Sequence, residues 1–499
     1  MHKLIITTIA ASCLAGTTTA QDQIDGTAIP GQRVFKSVDY DSALYLQSRL
    51  DNLLGDDSTQ IINDVNRLNI YTIKFPVPAN DDESDAIEEI FIGEADSGQV
   101  IWSEPNRVIN AHGQTGSLWV SGMDINATSY QSQYAVQQLE LDLAHRDLSR
   151  GQGTLVAVVD TGIDPDHPVL SGRVSELGYN AIQAGGSTDD SGIGDHAGHG
   201  TFIAGLVALV APEARLLPVT VLRPDGIGYP VDVADGIDYA MMQGAHVIVL
   251  ALGTTVPSTA MINAIDNALE RGITVVAAAG NTLPSPSGPS ILFPASHSTG
   301  TTIGVFAVGA NDVIDEIAAF SNYHQKLDLM APGVSTIDGS GIPDPSSSVI
   351  GPLPGGSFAA ANGTSFSTGF AAGIAALARA QYRTWPDEFV AMGQIPGELH
   401  TVIPLTDTYI TMPIVPANPI AQKPRANARM ACVPGPGLTF PGDIDGDGKI
   451  DGADLSRLLG SWGPLPANGG LHAANLLHDD EINGGDLSLL LGYWPPSGG

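Results

Sequence analysis

Cysteine is almost missing: Cys13 and Cys432 are the only two in 499 residues. A fold stapled by internal disulfides is therefore excluded, since loss of the first twenty residues would leave a single thiol. Basic side chains are scarce as well. Against 54 Asp+Glu stand only 21 Lys+Arg, a net charge of −33, which repels phosphate backbones and anionic lipid and excludes nucleic-acid binding and polybasic membrane attachment. No later stretch reaches 18 apolar residues, so no transmembrane span is expected. Neither H-E-x-x-H nor C-x-x-C occurs, which removes the usual zinc-peptidase and zinc-ribbon patterns. Charged residues make up only 15%, while 58 Gly and 34 Pro suggest many loops, and 43% hydrophobic residues supply a core large enough to exclude disorder. At about 150 residues per domain, the length implies roughly three domains.

The start, residues 1–20, has the make-up of a secretory signal peptide. Met1-His2-Lys3 is basic, Leu4 to Ala15 is mostly apolar, and Thr18-Thr19-Ala20 is a small-residue cleavage site. Acylation at Cys13 is the alternative, disfavoured by the short apolar run before it. Either reading puts the protein outside the cytoplasm, secreted or attached to the cell surface. Residues 21–115 form an acidic zone in which Asp81 to Glu94 holds seven carboxylates and no Lys or Arg. A helical pattern at Ala43 to Leu54, a strand at Leu68 to Val77 and a second helical start at Asp85 to Phe91 give it a small α+β character. Residues 116–129 read as an exposed linker, within a Gly/Ser-rich stretch from Asn110 to Ser129.

Residues 130–410 have a different rhythm. Apolar, β-branched runs (Leu155–Val159, Leu216–Val221, His246–Leu252, Ile273–Ala279, Ile303–Val308) alternate with helical stretches (His199–Val210, Val231–Gln243, Thr259–Arg271, Ser365–Tyr382). Strands apolar on both faces, alternating with helices, predict an α/β domain with a mainly parallel sheet covered by helices. Residues 411–441, with seven prolines and no acid, read as a semi-rigid exposed spacer. Residues 442–499 repeat with a period of 32: Ala453 to Trp462 matches Gly485 to Trp494 at seven of ten positions. A paired module of small helices and loops is expected there.

In open α/β sheets, functional groups gather where strands end and helices begin. Asp160 closes a strand in VAVVDTGID, His199 opens a helix in GHGTFIAG, and Ser365 opens another in NGTSFSTGFAAGIAAL. A serine hydroxyl becomes a nucleophile when an imidazole takes its proton, and a carboxylate fixes that imidazole and stabilises its charged form. Alone, each residue has a bland reading: a strand end, a structural histidine, a helix cap. His196 beside His199 could suggest a metal pair, though the Gly-rich loop explains the spacing more simply.

Taken together, these motifs resemble the subtilisin-like serine peptidases, the subtilases, over about Tyr130 to Tyr382. Asp160 falls in the family's DTG segment, His199 in HGT and Ser365 in GTS. Ala277-Ala278-Ala279-Gly280-Asn281 resembles its AAGN segment, which implies Asn281 as the oxyanion-hole donor. The resemblance implies protein or peptide substrates gripped by Ala251, Leu252 and Gly253, opposite a rail at Val219 to Val221. A first specificity pocket is implied at Ala279, Gly280 and Leu292, with Leu292 narrowing the floor. Three departures stand out: Gly369 where the family has Pro, Ala251 where it has Ser, and Phe202 where it has His. Ser103-Glu104-Pro105-Asn106-Arg107-Val108 resembles the end of a subtilase propeptide, so residues 21–115 are expected to assist folding and cover the active site. A permanent accessory domain is the other reading.

The tail carries a second motif. Asp443, Asp445, Asp447, the Lys449 carbonyl, Asp451 and Asp454 stand at positions 1, 3, 5, 7, 9 and 12 of a loop with Gly448 at 6, a calcium-binding spacing. With Asp at position 12 and a following helix, it resembles dockerin type I repeats, which implies a cohesin-like partner. The second copy is degraded, with Leu477 at position 3 and Asp480 in place of Gly. One good calcium site and one weak or empty one are expected; calcium in the catalytic domain stays open. Two functions from different classes remain: a secreted serine endopeptidase with an attachment module, or a catalytically silent subtilase scaffold that binds.

Overall fold

The computed structural model describes residues 26–55, 58–111, 125–147, 149–190, 193–281, 291–297, 304–323, 327–336 and 343–381, with short pieces between 409 and 487. The first unit contains β1 (Ala28–Ser37), α1 (Tyr40–Leu54), β2 (Gln60–Val65), β3 (Ile70–Lys74), α2 (Asp81–Asp96) and β4 (Val100–Arg107). Its antiparallel sheet has the order β2-β3-β1-β4. Both helices start on side-chain caps, Asp39 accepting from Ser42 N–H and Asn80 from Glu83 N–H. The dense acidic run begins at the head of α2, where Asp81, Asp82 and Glu83 meet the positive end of the helix dipole. Phe35, Leu46, Leu50, Tyr71, Ile73 and Phe91 form the core between helices and sheet.

After β5 (Ile109–Ala111) come three short helices, α3 (Ala127–Gln131), α4 (Tyr134–Gln138) and α5 (Leu141–Asp147). The large layer then runs through β6 (Leu155–Asp160), β7 (Tyr179–Asn180), α6 (His199–Val210), β8 (Arg215–Thr220), β9 (Ile227–Gly228), α7 (Pro230–Met242), β10 (Val247–Leu250), β11 (Leu252–Gly253), α8 (Thr259–Glu270), β12 (Thr274–Ala278), β13 (Phe306–Asn311) and β14 (Leu329–Pro332). A hairpin of β15 (Val349–Leu353) and β16 (Ser357–Ala361) precedes α9 (Thr364–Gln381). Seven strands make one sheet, β14-β13-β12-β10-β6-β8-β7, and every pairing in it is parallel. This is the expected α/β fold.

Strand alternation decides which helices go where. Val156 and Val158 of β6, with Val247 and Val249 of β10, face the cluster built on α6 and α9. Ala157, Val159, Ile248 and Leu250 face the cluster of α7 and α8. Both faces are covered, so the strands are apolar throughout. From β6 the chain steps to β8 on one side; from β8 it crosses back to β10 on the other. The strand order thus reverses between β6 and β10, and the crevice beyond their carboxyl ends is where such folds place their sites.

Two expectations need correction. Asn110 and Ala111, read as the start of an exposed stretch, lie in β5 between β11 and β9, and Ala111 is buried. Apolar neighbours Val108 and Ile109 carry the chain into the body of the protein, outweighing the loop-like composition that follows. Parts of the Pro-rich spacer are also docked rather than exposed. The short strands β17 (Tyr409–Thr411) and β18 (Gln422–Pro424) pair with each other, Ala426 N–H donates to Met330 O (2.7 Å) and Ala428 N–H to Leu139 O (2.9 Å). Both alanines are buried, and the Ala426 contact covers the otherwise open edge at β14. In the tail, α10 (Gly452–Gly460) and the paired β19 (Gly463–Pro464) and β20 (Glu481–Ile482) are described. Among the described residues no helix is long and apolar enough to cross a membrane.

Candidate active site

Asp160 is the last residue of β6 and His199 the first of α6. His199 Nδ1 lies 2.8 Å from Asp160 Oδ1, and both side chains are buried. A carboxylate can only accept from its partner here, so Nδ1 carries the proton and Nε2 is left as the basic nitrogen. Thr161 N–H donates to the same Oδ1 (2.8 Å) and holds the carboxylate in place. The first turn of α6 can come this close because Gly200 has no side chain: a Cβ there would lie 2.2 Å from Gly162 O and 3.2 Å from Asp160 Cβ. At its far end α6 is tied by side chains from elsewhere, Arg173 Nη1 donating to Ala208 O (3.1 Å) and His145 Nε2 to Val210 O (2.6 Å).

Ser365 is the second residue of α9 and is buried, with its hydroxyl donating to Ala251 O (3.1 Å) just beyond β10. The next residue, Phe366, lies with its ring centroid 5.8 Å from that of His199. Phe202 backs this contact at 4.6 Å from Phe366. The family-atypical Phe202 thus becomes an apolar wall under the histidine, and Gly351 leaves room for it, since a Cβ there would sit 2.4 Å from the ring. Gly369 and Gly373 let α9 press against α6: a Cβ on Gly373 would stand 2.5 Å from Val210 Cβ, whereas one on Gly369 would meet Leu206 Cβ at 3.1 Å.

Asn281 follows β12. Its Oδ1 accepts from Thr364 N–H (2.9 Å), so the amide NH₂ is the end left for donation. That NH₂ lies beside Gly363, where a Cβ would come within 3.2 Å of Nδ2. Thr364 Oγ1 also accepts from Gly280 N–H (3.1 Å), locking the β12 loop to the head of α9. The fold therefore brings Asp160, His199, Ser365 and Asn281 to the carboxyl edge of neighbouring strands. His196 lies next to this group, its ring centroid 6.3 Å from that of His199. Its ring covers Gly226, and burial, reinforced by the charge of His199, pushes its pKa down to about 4.

The residues expected to bind substrate lie on and around a small sheet of β11, β5 and β9. Leu252 and Gly253 pair antiparallel with Ala111 and Asn110 of β5. On the other side of β5 lies β9, with Ile227 and Gly228 paired with Asn110 and Ile109. Of the expected rail at Val219 to Val221, Val219 and Thr220 pair with β6 inside the main sheet. Pro224-Asp225-Gly226 is a turn signal that could have revealed the returning strand. At the third region Ala279 O accepts from Leu292 N–H (3.0 Å), and Leu292 Cδ1 fills the space over Gly280, 2.6 Å from where a Cβ would be. Asp443, Asp445, Asp447, Lys449 and Asp451 lie outside the described residues; Asp454 is on α10, its side chain not among those described.

Sequence reasoning also missed what ties the first unit to this edge. Glu104 Oε1 accepts from Ser258 Oγ (2.8 Å) and Ala260 N–H (3.2 Å), and its Oε2 from Thr259 N–H (2.8 Å), at the head of α8. On α7, Asn63 donates to Asp232 (2.8 Å), Arg67 pairs with Asp235 and Asp238, and Tyr179 O–H donates to Asp235 (2.6 Å). Burial pushes Asp232 up to about 7 and also raises Asp235. Only the motif around Glu104 hinted at this docking.

A seven-stranded parallel α/β sheet with a buried Asp–His pair at its reversal point defines a protein of the subtilisin-like fold. Fervidolysin from Fervidobacterium pennivorans, a keratinolytic enzyme related to subtilisin, shares that fold at a TM-score of 0.56 and 19% identity, over 82% of this chain and 62% of its own. The subtilase family profile matches residues 151–392. Subtilisin BL of Lederbergia lenta is 36% identical over 261 residues, 50% of this chain and 86% of that protein. The thermophilic serine proteinase of Bacillus sp. (strain AK1) is 36% identical over 297 residues, 57% of this chain, which spans 64% of that relative's length. The chain belongs to the subtilase family.

Proposed function

We propose that this protein is an exported serine endopeptidase in which Asp160, His199 and Ser365 form the reacting set and Asn281 the oxyanion donor. The observation that carries this reading is the buried 2.8 Å Asp160–His199 contact at the sheet reversal, with Ser365 opening the helix packed against that histidine. In the reaction Ser365 Oγ attacks the peptide carbonyl carbon as His199 Nε2 takes its proton. Asp160 stabilises the resulting imidazolium, and the oxygen that gains negative charge is met by the Asn281 NH₂. The C–N bond then breaks, His199 returns the proton to the leaving amine, and water releases the acyl group by the same steps in reverse. A serine-directed phosphonate should label the mature protein and fail to label Ser365→Ala. Equal labelling of both would refute Ser365 as the nucleophile, and no labelling of the mature protein would leave the silent binding scaffold.

Residues 21–115 act in this reading as a propeptide. β5 lies as an added strand between β11 and β9, the way an extended peptide augments a sheet edge, and so occupies the place of a substrate. Release requires cutting within 112–129, and the N-terminal residue and mass of the mature protein test it. Leu292 over Gly280 supports a first pocket suited to medium apolar side chains; a strict Arg or Asp preference in a peptide library would remove that reading. The tail, with its six oxygen positions from Asp443 to Asp454, serves as a calcium-dependent attachment module for a cohesin-like partner. Calcium titration should find one tight site, and two equally tight sites would overturn that count. The apolar, small-residue segment before residue 21 supports secretion or cell-surface attachment.

A further inference from the structure

Helix α6 has an unusual start. Its N-cap is Gly198, which adopts a left-handed φ of 93° and has no side chain with which to cap. The first amides of a helix lack partners within it, yet here they are met from outside. His199 N–H donates to His196 O (3.0 Å) and Gly200 N–H to Thr161 Oγ1 (2.9 Å). The amides on either side of that pair converge on one carboxylate. Asp190 Oδ1 accepts from Gly198 N–H (3.0 Å), and Oδ2 accepts from Thr201 N–H (3.0 Å) and Thr201 Oγ1 (2.9 Å). Thr201 Oγ1 in turn accepts from Asp164 N–H (2.9 Å).

Asp190 is 3% exposed and has no Lys or Arg among these partners. Burying a carboxylate without a counter-ion is costly, and a neutral cap such as Ser or Asn suffices to start a helix. A carboxylate does something those cannot: its two oxygens grip the residue before His199 and the second residue after it. Two fixed points, one on each side, set both the position of the first turn and its rotation about the helix axis. That rotation decides whether the imidazole meets Asp160 through Nδ1 and where Nε2 is aimed. We propose that Asp190 is a positioning residue for His199, clamping the first turn of α6 so that the imidazole keeps its catalytic orientation. The proposal rests on the peptidase reading above.

The test compares wild type, Asp190→Asn and Asp190→Glu in the mature enzyme, by kcat, KM and thermal melting. Asp190→Asn keeps size but replaces one accepting oxygen with a donor that opposes Thr201 N–H. Misplacing a catalytic group by about 1 Å costs on the order of 10²-fold, so kcat should fall about 10- to 100-fold with KM within twofold. Asp190→Glu should restore part of it. A kcat within twofold of wild type, or matched losses in kcat and in affinity, would overturn the proposal. If Asp190→Asn does not fold, Thr201→Val removes one of the three donors and should still lower kcat at constant KM; no change would overturn the assignment. A readout without turnover separates this proposal from the peptidase reading. In the Ser365→Ala chain the His199 Nδ1 proton held by Asp160 should give a narrow downfield proton NMR signal that broadens or shifts on adding Asp190→Asn. A signal that does not move sinks the positioning role, whereas a moved signal in a protein without Ser365-dependent turnover would sink the peptidase reading alone.

Discussion

Glu104→Ala should free the active site sooner, and the size of the effect follows from what that carboxylate touches. It accepts three hydrogen bonds at the head of α8, from Ser258 Oγ, Thr259 N–H and Ala260 N–H. A hydrogen bond to a charged group contributes about 1.5–3 kcal/mol, and a carboxylate at a helix head adds about 0.3–1 kcal/mol. These do not simply add. Glu104 is partly solvent-accessible, and Ser258 remains to cap α8 through Met261 N–H, so water and Ser258 recover part of what is lost. A net weakening of about 2–3 kcal/mol is the reasoned figure, or about 30- to 150-fold in the equilibrium for undocking. On the proposed reading β5 occupies the substrate strand, so peptide hydrolysis should begin only when residues 21–115 leave. The assay is the lag before hydrolysis after dilution of the freshly processed protein, which should shorten by a comparable factor. An unchanged lag, with the same new N-terminus in both proteins, would refute the assignment of Glu104 as an anchor.

Further outcomes follow from the same contacts. Asn281→Leu should lower kcat about 10²–10³-fold with little change in KM, measured on a chromogenic peptide. Docking of the first unit should weaken as pH rises. Asp232, faced by Asn63, Arg223 and Asp235, is pushed up to about 7 while covered, and Asp235, facing Arg67, Tyr179 and Asp238, shifts the same way; exposure returns both toward the ordinary carboxylate range. The docked state therefore takes up protons, so its advantage is full at acid pH and fades through pH 7. Gel filtration of the processed complex should retain it better at pH 5 than at pH 8, and Asp232→Asn should flatten that difference. Gly373→Ala places a methyl 2.5 Å from Val210 Cβ and should destabilise by about 1–3 kcal/mol in denaturant melts.

Much of the large domain was legible because its strands are buried on both faces. The run Leu155–Val159 became Leu155–Asp160, and His199–Val210 was matched end to end. The candidate site residues stood out because Gly200 and Gly363 mark where backbones or side chains must approach closely, and those glycines sit beside His199 and Ser365 in the chain. What stayed hidden was made by contacts distant in sequence. Asp190 looks like one more acidic loop residue until Gly198 and Thr201 are seen to converge on it. The strand β9, Ile227–Gly228, was too short for any periodicity to declare. β5 escaped notice because its three residues acquire strand geometry only from β11 and β9, and Ala426 and Ala428 because a Pro-rich composition says nothing of two small side chains fitting an open edge.

The seam at Ala426 gives the tail a mechanical route into the enzyme. Ala426 is held by Met330 of β14, the residue after that strand is Gly333, and Gly333 O takes the amide of Gly363 two positions ahead of Ser365. If the tail is moored to a surface while the body is dragged by flow or by a fibrous substrate, tension meets the Ala428–Leu139 hydrogen bond first and the Ala426 seam next. From that seam one strand and one hydrogen bond lead to Gly363, two positions ahead of the proposed nucleophile Ser365.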